Sequence, residues 1–545
     1  MGVARSAVGG RRARYGVPSV EKMLGALPVV AEFGRRLRLR QIVDAVCPMR
    51  EVSTSAVTHG QVVEVLVANR LTSPAPLLRV EDWARAWAVP EVFGVAASTL
   101  GDDRIGRALD AIAPHLDHVV GSVGATAIEV FGLDVTRMHW DMTSISLHGA
   151  YERVDAGLPA PRFGHPKDRR PDLKQVQTGI AVSGDGGVPV FHRAFDGGAG
   201  EVSQVVPAMQ ALQRLAGPAR MLMIGDSKLV SYPNLAAMAT AKVAFIAPAS
   251  KNYVSAEVLA AQDLSDAVEV DYVAARDAGK DAARRGTWHV REDVMSVAGP
   301  RKRDPVLMLR RVFVHSSARA QAALTARTKK LDRARNDLDR LVRGLGGRHY
   351  PDQPAVAARV AAIARDRRVA AYLRTDIGVD EQGKPTLAWS FDQAAIDAEA
   401  AGDGWYALLT NLDPAEADAA EVLRRYKAQE AVERRYQALK GPLAVAPIFL
   451  KNNRRIAALI TVICVALLIF CLVEREVRRA IAPAAKLDDL YVGRPAKPTG
   501  RLIFEALDQL RLIPSRSNDP PTIPRPGPLQ NRLLDLLNVD PLRLA

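Results

Sequence analysis

The most restrictive feature of this sequence is an apolar run at residues 456–473 that contains no charged residue. Its length is at the lower limit for a helix that crosses a bilayer, and Arg454, Arg455 and Glu474 flank it directly. A helix that is apolar all round is also typical of the centre of a large soluble core. Because the chain has no second such run, and a basic stretch precedes this one, we expect a buried core helix and no membrane partner. A membrane-anchored protein is the alternative.

Length, charge and cysteine usage limit the function classes. A chain of 545 residues exceeds what one hydrophobic core organises, so about two to four domains are expected. The chain carries 74 Lys and Arg against 60 Asp and Glu, a net charge of +14, which favours a nucleic acid or an anionic membrane surface as the partner. Its three cysteines define no disulfide framework and indicate a reducing, intracellular setting.

The pattern of apolar residues changes along the chain and predicts the α/β class. Residues 20–120 have apolar side chains at helical spacing, and from about residue 126 the chain is rich in Val, Ile, Thr and aromatic residues, as strands are. Strands and helices then alternate, which predicts a mixed sheet. The predicted division is 1–125, 126–270, 271–403, 404–480 and 481–545, the last being a tail with a Pro-rich linker.

Two aspartates follow apolar segments in the predicted sheet. Asp141 lies in HWDMTS, which we place at the end of the first strand, and Asp226 lies in IGDSKL, where a strand gives way to a helix. Functional side chains collect at the carboxyl ends of strands in open sheets. Two carboxylates there provide the oxygen ligands that Mg²⁺ or Mn²⁺ prefers.

A third carboxylate is expected from the basic segment RRYKAQEAVERRYQALK, residues 424–440. As one continuous helix, this segment brings Tyr426, Gln429, Glu433 and Lys440 to one side, next to an apolar face that docks on the sheet. Glu430 points further from that face. Glu433 is therefore the expected carboxylate, at a buried edge of the helix.

The spacing YxxQxxxExxxxxxK resembles the signature of DDE-type insertion-sequence transposases of the "IS four" superfamily. The surrounding sequence is similar to its "IS sixteen-thirty-four" group. The similar stretches span roughly residues 16–480 in the family's order and read LPVVAEFGRRLRLRQIVDA, DDRIGRALD, HWDMTSISLHGAY, HPKDRRPDLKQVQTGIAVSGDGGVPV, MIGDSKL and DGWYALLTN.

This resemblance implies an RNase H-like mixed-sheet catalytic core, interrupted by an insertion domain at 271–403 and preceded by a helical DNA-binding domain at 1–125. It implies Asp141, Asp226 and Glu433 as catalytic acids that hold two Mg²⁺ or Mn²⁺ ions. Water then cuts a phosphodiester at the element's end, and the freed 3′-OH attacks target DNA, with hairpin ends as one route. The implied partner is double-stranded DNA bound by a homodimer in the bacterial cytoplasm, associated with the nucleoid. No GxxxxGK[ST] loop is present, so no nucleotide cofactor is expected.

The expected DNA contacts combine the signature residues with two basic runs. The candidates are Tyr426, Gln429, Arg434, Lys440, Lys167, Arg169, Arg170, Lys174 and Trp288, the last as an aromatic platform for a flipped base. Gln429 departs from the family's arginine and lacks the charge and the bidentate fork that suit phosphate. A catalytically weak descendant that acts as a DNA-binding protein is therefore the alternative function.

Overall fold

The computed structural model describes residues 21–49, 57–152, 154–217, 220–446, 448, 450–514 and 520–544. The helices are α1 Leu27–Arg36, α2 Leu39–Val46, α3 His59–Thr72, α4 Val80–Ala86, α5 Val89–Phe93, α6 Asp102–Ile112, α7 Leu116–Phe131, α8 Glu201–Ala216, α9 Tyr232–Thr240, α10 Ala256–Ala260, α11 Ser317–Arg343, α12 Gln353–Arg367, α13 Gln393–Ala400, α14 Ala419–Lys427, α15 Glu430–Lys440, α16 Asn453–Ala480, α17 Gly500–Leu507 and α18 Pro528–Leu537. The strands are β1 Lys22–Met23, β2 Arg137–Leu147, β3 Lys174–Ser183, β4 Pro189–Phe195, β5 Leu222–Ile224, β6 Ala244–Pro248, β7 Val268–Glu269, β8 Trp288–Val297, β9 Leu307–Ser316, β10 Leu373–Val379, β11 Pro385–Phe391, β12 Trp405–Thr410, β13 Leu487–Tyr491, β14 Arg494–Ala496 and β15 Arg511–Leu512. They form two compact units: 1–200 with 212–217 and 431–545, and 201–211 with 218–430.

The apolar run forms the central helix of the first unit. Asn452 caps α16 by accepting a hydrogen bond from the Arg455 backbone N–H at 2.8 Å. One 18-residue window of α16 is apolar enough to cross a membrane, but that window is 100% buried inside the unit. Helices α3, α6, α17 and α18 and strand β4 pack around it. The expectation of a core helix is confirmed.

The first unit also contains an antiparallel three-stranded sheet in the order β4-β3-β2. Strands β2 and β3 pair from Met138 opposite Ser183 to Leu147 opposite Lys174. Because β2 is hydrogen-bonded over this whole length, Asp141 lies within the strand, opposite Ile180. The expectation that Asp141 ends the strand is wrong, since the polar residues after it continue the ladder.

The C-terminal residues join the core of the first unit. Strand β15 pairs antiparallel with β1, and α17 and α18 pack on α16. Gly500 begins α17 where the Phe470 ring of α16 approaches closely, so that a Cβ at this position would lie 2.5 Å from the ring. Residues predicted as a tail thus contribute buried side chains such as Ile503 and Leu534.

The second unit is built on a mixed sheet in the order β5-β6-β12-β9-β8-β7. Strands β5 and β6 are parallel, and the other neighbours are antiparallel. Helix α14 packs on β6, β8 and β9 of this sheet. The α/β class with a large mixed sheet is therefore confirmed.

Helices α11 and α12 and the β10–β11 hairpin form a separate apolar cluster within the second unit. Leu338, Leu341 and Ile363 are buried at its centre, against Trp389 and Phe391 of β11. Between residues 346 and 403 the structure has the helix α12, the β10–β11 hairpin and the helix α13. Gly383 lies in the turn between β10 and β11, whereas Pro354 and Gly378 lie within elements.

Candidate functional site

Asp141 lies beside a lysine from the loop between β2 and β3. Its carboxyl side chain is 19% exposed, and Lys167 Nζ is 3.4 Å from its Oδ1. The Asp141 Oδ1 also accepts a hydrogen bond from the Met142 backbone N–H at 2.7 Å, and Lys167 Nζ donates to the Met142 carbonyl. The Met142 N–H thus holds the Asp141 carboxylate in one orientation. The negative charge of this carboxylate favours a cation beside it, and Lys167 occupies that position.

Two serines of β2 hold the loop that carries Lys167. The Lys167 backbone N–H donates to Ser144 Oγ at 2.8 Å, and Ser146 Oγ donates to Asp168 Oδ2 at 2.6 Å. The sequence analysis did not predict this role of Ser144 and Ser146. Their spacing of two residues places both hydroxyls on one face of the strand, which is the local pattern that could have indicated it. The loop is fixed at the residues next to the candidate site.

Helix α15 is docked on the same sheet through Tyr436. The Tyr436 hydroxyl donates to the Asp141 backbone carbonyl at 2.6 Å and accepts from the Ile180 N–H at 3.1 Å. Val432 and Leu439 on this helix are fully buried, as the apolar periodicity predicted. Since Glu433 lies one turn before Tyr436, two of the three predicted acids belong to one helix–strand contact, 292 residues apart in the sequence.

Lys440 at the end of α15 belongs to the same neighbourhood. Burial lowers its pKa, Lys167 lowers it further, and the carboxylates of Asp168 and Asp141 act in the opposite direction. The structure thus brings together Asp141, Lys167 and Lys440. The two amines next to acidic groups form a local charge arrangement suited to a phosphodiester that approaches Asp141.

An ion pair buried in the first unit fixes the orientation of α15. Arg435 Nη2 is 3.1 Å from Glu474 Oε1 of α16, with both side chains less than one-tenth exposed. Arg435 also donates to the carbonyls of Gly186 and Gly187, in the turn between β3 and β4. The basic character of Arg435 therefore serves the fold.

Two expectations for the segment 424–440 are wrong. The segment is not one helix, because α14 ends at Lys427 and a turn at Ala428 and Gln429 precedes α15. Tyr426 and Gln429 therefore do not share a helix face with Glu433 and Lys440. Glu433 is also exposed rather than placed at a buried edge, because Val432 and Tyr436 occupy the side of α15 that faces the sheet.

Asp226 belongs to the second unit and follows the buried strand β5. Its side chain caps a short 3₁₀ turn, Ser227–Leu229, by accepting a hydrogen bond from the Lys228 N–H at 2.9 Å. It lies at the carboxyl end of a strand that is parallel to β6, where functional side chains leave the core. The prediction that a strand stops just before this acid is confirmed.

Trp288 and Tyr426 line a cavity of about 330 Å³ in the second unit. Trp288 is only 5% exposed, and Lys427 Nζ lies 4.2 Å from the centre of its ring. The Lys427 amine covers the Trp288 ring, so the structure does not show the open aromatic platform that was expected for a flipped base. Burial lowers the pKa of Lys427 to about 8. Glu430 raises this pKa, whereas Arg276 lowers it further.

Two polar groups in this cavity wall are buried without a hydrogen-bond partner among the described residues, namely Trp288 Nε1 and the Tyr406 hydroxyl. Arg276 and Arg319 also line the cavity. Buried donors usually have hydrogen-bond partners, so these two groups are exceptions among the described residues. Gln429, in the turn after α14, likewise has a buried Oε1 that lacks a partner within the described part of the chain.

The remaining candidate cations have different environments. Arg170 pairs with Asp172 at 2.7 Å, with both side chains at least half exposed, and Lys174 Nζ lies 5.9 Å from the centre of the Phe163 ring. Arg169 and Arg434 are exposed. Of the nine cations between residues 424 and 455, five form ion pairs within their own unit: Arg424, Arg425, Arg435, Arg454 and Arg455. These five arginines therefore make contacts within the fold, and DNA contact by the other four stays a prediction.

The carboxylate chemistry of Asp141, Asp226 and Glu433 fits hard divalent cations. Within the described ranges, no group of three or more His, Cys, Asp or Glu side chains lies close enough to hold one metal ion. The Lys167 amine at Asp141 Oδ1 is the structural sign that this carboxylate attracts a cation. The three-acid metal site stays a prediction.

None of the curated proteins compared with the chain matches it. Among solved structures, the chain is similar to the piggyBac transposase synaptic complex with hairpin DNA determined by cryo-EM, with a TM-score of 0.35, 9% identity and coverage of 82% of this chain and 73% of that chain. This similarity is too low to assign a fold or an activity. Residues 19–118, which include α1–α6, match the family model described as a domain of unknown function, DUF4277.

Proposed function

We propose that the protein is a DDE transposase that cleaves DNA and transfers the cut strand in the presence of Mg²⁺ or Mn²⁺. The observation that carries this proposal is the hydrogen bond from Tyr436 of α15 to the Asp141 carbonyl of β2, because it joins the helix of Glu433 to the strand of Asp141. The DUF4277 match supports it, since this family is found in transposase-like proteins.

The proposed catalytic core is RNase H-like, with Asp141, Asp226 and Glu433 as the acids. The antiparallel β4-β3-β2 sheet in the first unit and the parallel β5–β6 pair in the second support this assignment. Two bound ions would supply activation of the attacking oxygen and neutralisation of the leaving one. Exposure of Glu433 leaves its carboxylate free to turn toward such an ion, while Tyr436 keeps its helix in place.

Lys167 and Lys440 have a positioning role in this proposal. Both amines lie in the neighbourhood of Asp141, so they attract the phosphodiester that is to be cut. Asp141 would be one of the residues that hold the metal ion, and Lys167 would then move away from its carboxylate, because two positive charges repel each other. The exposed cations Arg169, Arg170 and Arg434 would then extend the DNA contact along the backbone, and a homodimer would bring two element ends together.

The test is cleavage of supercoiled DNA that carries the element's own ends, with Mg²⁺ or Mn²⁺. Asp141→Asn, Asp226→Asn and Glu433→Gln should each lower the cleavage rate by at least about 100-fold, since even groups outside the first coordination sphere are worth 10- to 100-fold. DNA binding should be retained in all three variants. Glu430→Gln is the matched control, because it removes an exposed carboxylate three residues from Glu433. Equal loss in Glu430→Gln, or normal cleavage by any of the three variants, contradicts the assignment.

A DNA-binding protein with little or no catalytic activity is the second candidate. It is favoured by Gln429, an uncharged residue with a partnerless Oε1 at the position where the family has arginine. This candidate predicts that wild-type protein binds the ends without cutting them. Gln429→Arg, which restores the charge and the fork, should then increase cutting if the glutamine is what limits activity.

A further inference from the structure

The hairpin β8–β9 extends beyond the sheet of the second unit as a two-stranded ribbon. The two strands pair with each other from Trp288 opposite Ser316 to Val297 opposite Leu307. Among the described residues, β12 pairs with β9 only as far as Arg310, and β7 pairs with β8 only at Val290 and His289. Within the described residues, the distal ends of the two arms, 295–297 and 307–309, therefore have no strand on their outer sides.

Three consecutive cations lie at the tip of this ribbon. Arg301, Lys302 and Arg303 are all exposed, and none has an ion-pair partner in the part of the chain that the structure describes. Asp304, the acid next to them, is used within the turn, where its Oδ2 accepts from the Arg301 N–H at 3.0 Å. The tip thus presents concentrated positive charge.

Apolar side chains accompany the cations along the ribbon. Val294 of β8 is 61% exposed, and Val306 and Met308 on the other arm are 60% and 63% exposed. Apolar side chains this exposed on a projecting ribbon have no intramolecular burial to explain them. A partner that combines regularly spaced negative charge with apolar surface suits this combination, and duplex DNA offers phosphates together with sugar and base edges.

The ribbon is fixed to the element that follows Asp226. The Tyr232 hydroxyl at the start of α9 donates to the Pro305 carbonyl at 2.7 Å. Gly299 allows this contact, because a Cβ there would lie 2.5 Å from the Tyr232 ring. The tip is thus held at a defined place by Tyr232, which lies six residues after the proposed catalytic acid Asp226.

From these observations we propose that the β8–β9 ribbon is a DNA-contact element that enters a groove of duplex DNA. Arg301, Lys302 and Arg303 contact phosphates, and Val294 and Met308 pack on the groove surface. The major groove admits a two-stranded ribbon of this kind. The inference rests on the proposed function in requiring DNA as the partner, but it does not depend on catalysis.

The test measures how salt weakens binding of the full-length chain to a fluorescein-labelled duplex of mixed sequence. Replacing the three cations (Arg301→Gln, Lys302→Gln and Arg303→Gln together) should lower the slope of log affinity against log salt by about 2–3, since each neutralised phosphate contributes about 0.9. Between about 50 and 200 mM salt, the wild-type protein should therefore lose about 40-fold more affinity than the variant. All three side chains are exposed, so the variant should fold, which circular dichroism checks.

The matched control is Lys329→Gln, Arg333→Gln and Arg343→Gln, which removes the same charge from exposed positions on α11 of the same unit. An equal slope change in the control, or an unchanged slope in the ribbon variant, overturns the proposal. Met308→Gln should raise the Kd severalfold with an unchanged slope, because apolar contacts release no counterions. An unchanged Kd means that the ribbon does not enter the groove. If the wild-type protein binds no duplex, the proposed function fails as well. If the wild type binds and the ribbon variant has the same salt slope, only the proposed role of the ribbon is excluded.

Discussion

Removing one hydroxyl should loosen the contact on which the candidate site depends. Tyr436→Phe keeps the ring, which is 7% exposed, and deletes the oxygen that donates to the Asp141 carbonyl and accepts from the Ile180 N–H. Thr178 offers its carbonyl to the same hydroxyl at 3.2 Å, but one hydroxyl has only one proton to donate. The variant therefore loses two hydrogen bonds without creating a large cavity.

The expected cost follows from these two bonds. A typical intramolecular hydrogen bond contributes about 0.5–1.5 kcal/mol, and a buried group left without its partner costs about 1–3 kcal/mol. The Ile180 N–H is buried in the sheet and loses the hydroxyl as an acceptor, so the local stability of the α15–β3 contact should fall by about 2–3 kcal/mol. This corresponds to about 30- to 140-fold faster amide exchange by local opening.

Hydrogen–deuterium exchange resolved by peptide measures this change without assuming that both compact units unfold together. The peptide covering β3, Lys174–Ser183, should exchange faster, while peptides of α11 should be unchanged. Tyr491→Phe is the matched control, because that tyrosine of β13 is 52% exposed in the same unit. If Tyr436→Phe exchanges like wild type at β3, the hydroxyl does not hold α15 on the sheet and the reasoning behind the site is refuted.

Three other perturbations test the buried groups. Glu474→Gln leaves Arg435 buried without its counter-charge and should cost about 3–5 kcal/mol in urea unfolding. Burial raises the pKa of Glu474, but its arginine neighbours lower it more, so the pKa in the folded protein is below 4.5. The stability of the wild type should therefore fall as the pH drops below 4.5, and the variant should lose this dependence on acid. Equal acid sensitivity of the two proteins would contradict the pairing. Burial raises the pKa of Cys464 and Cys471 to about 12, so neither thiol should react with a thiol reagent before unfolding, and reaction of the native protein would disprove their burial. Because the pKa of Lys427 is lowered to about 8, the unfolding free energy of wild type relative to Lys427→Met should rise from pH 8 to 10.5, and a flat difference would show that the amine is not desolvated.

The features that the sequence predicted correctly depend on local patterns. The run at 456–473 has no polar face, so its burial follows from composition once a membrane is set aside. Val432 and Leu439 lie seven residues apart, two turns of a helix, and both are fully buried. The strand before Asp226 is short, apolar and followed by Gly, which marks its end.

The features that the sequence did not reveal depend on tertiary contacts. No Gly or Pro separates Lys427 from Glu430, yet the helix breaks there, since α14 packs on the sheet of the second unit while α15 docks through Tyr436 on the sheet of the first. Likewise, only the pairing with β3 shows that β2 continues past Asp141. Trp288 is covered by Lys427, from 139 residues further along the chain, which no local pattern indicates.

The discontinuous first unit sets an order of events during synthesis. Apart from the short segment 212–217, this unit consists of residues up to Gly200 and residues from Ala431 onward, so the ribosome makes the second unit before α16 emerges. At about 5–20 residues per second, the intervening 230 residues take about 10–50 s. During that time α3, α6 and β4 lack their packing partner α16. Their apolar surfaces are thus exposed for far longer than a small domain needs to fold, which makes this unit a natural substrate for a chaperone that binds nascent chains.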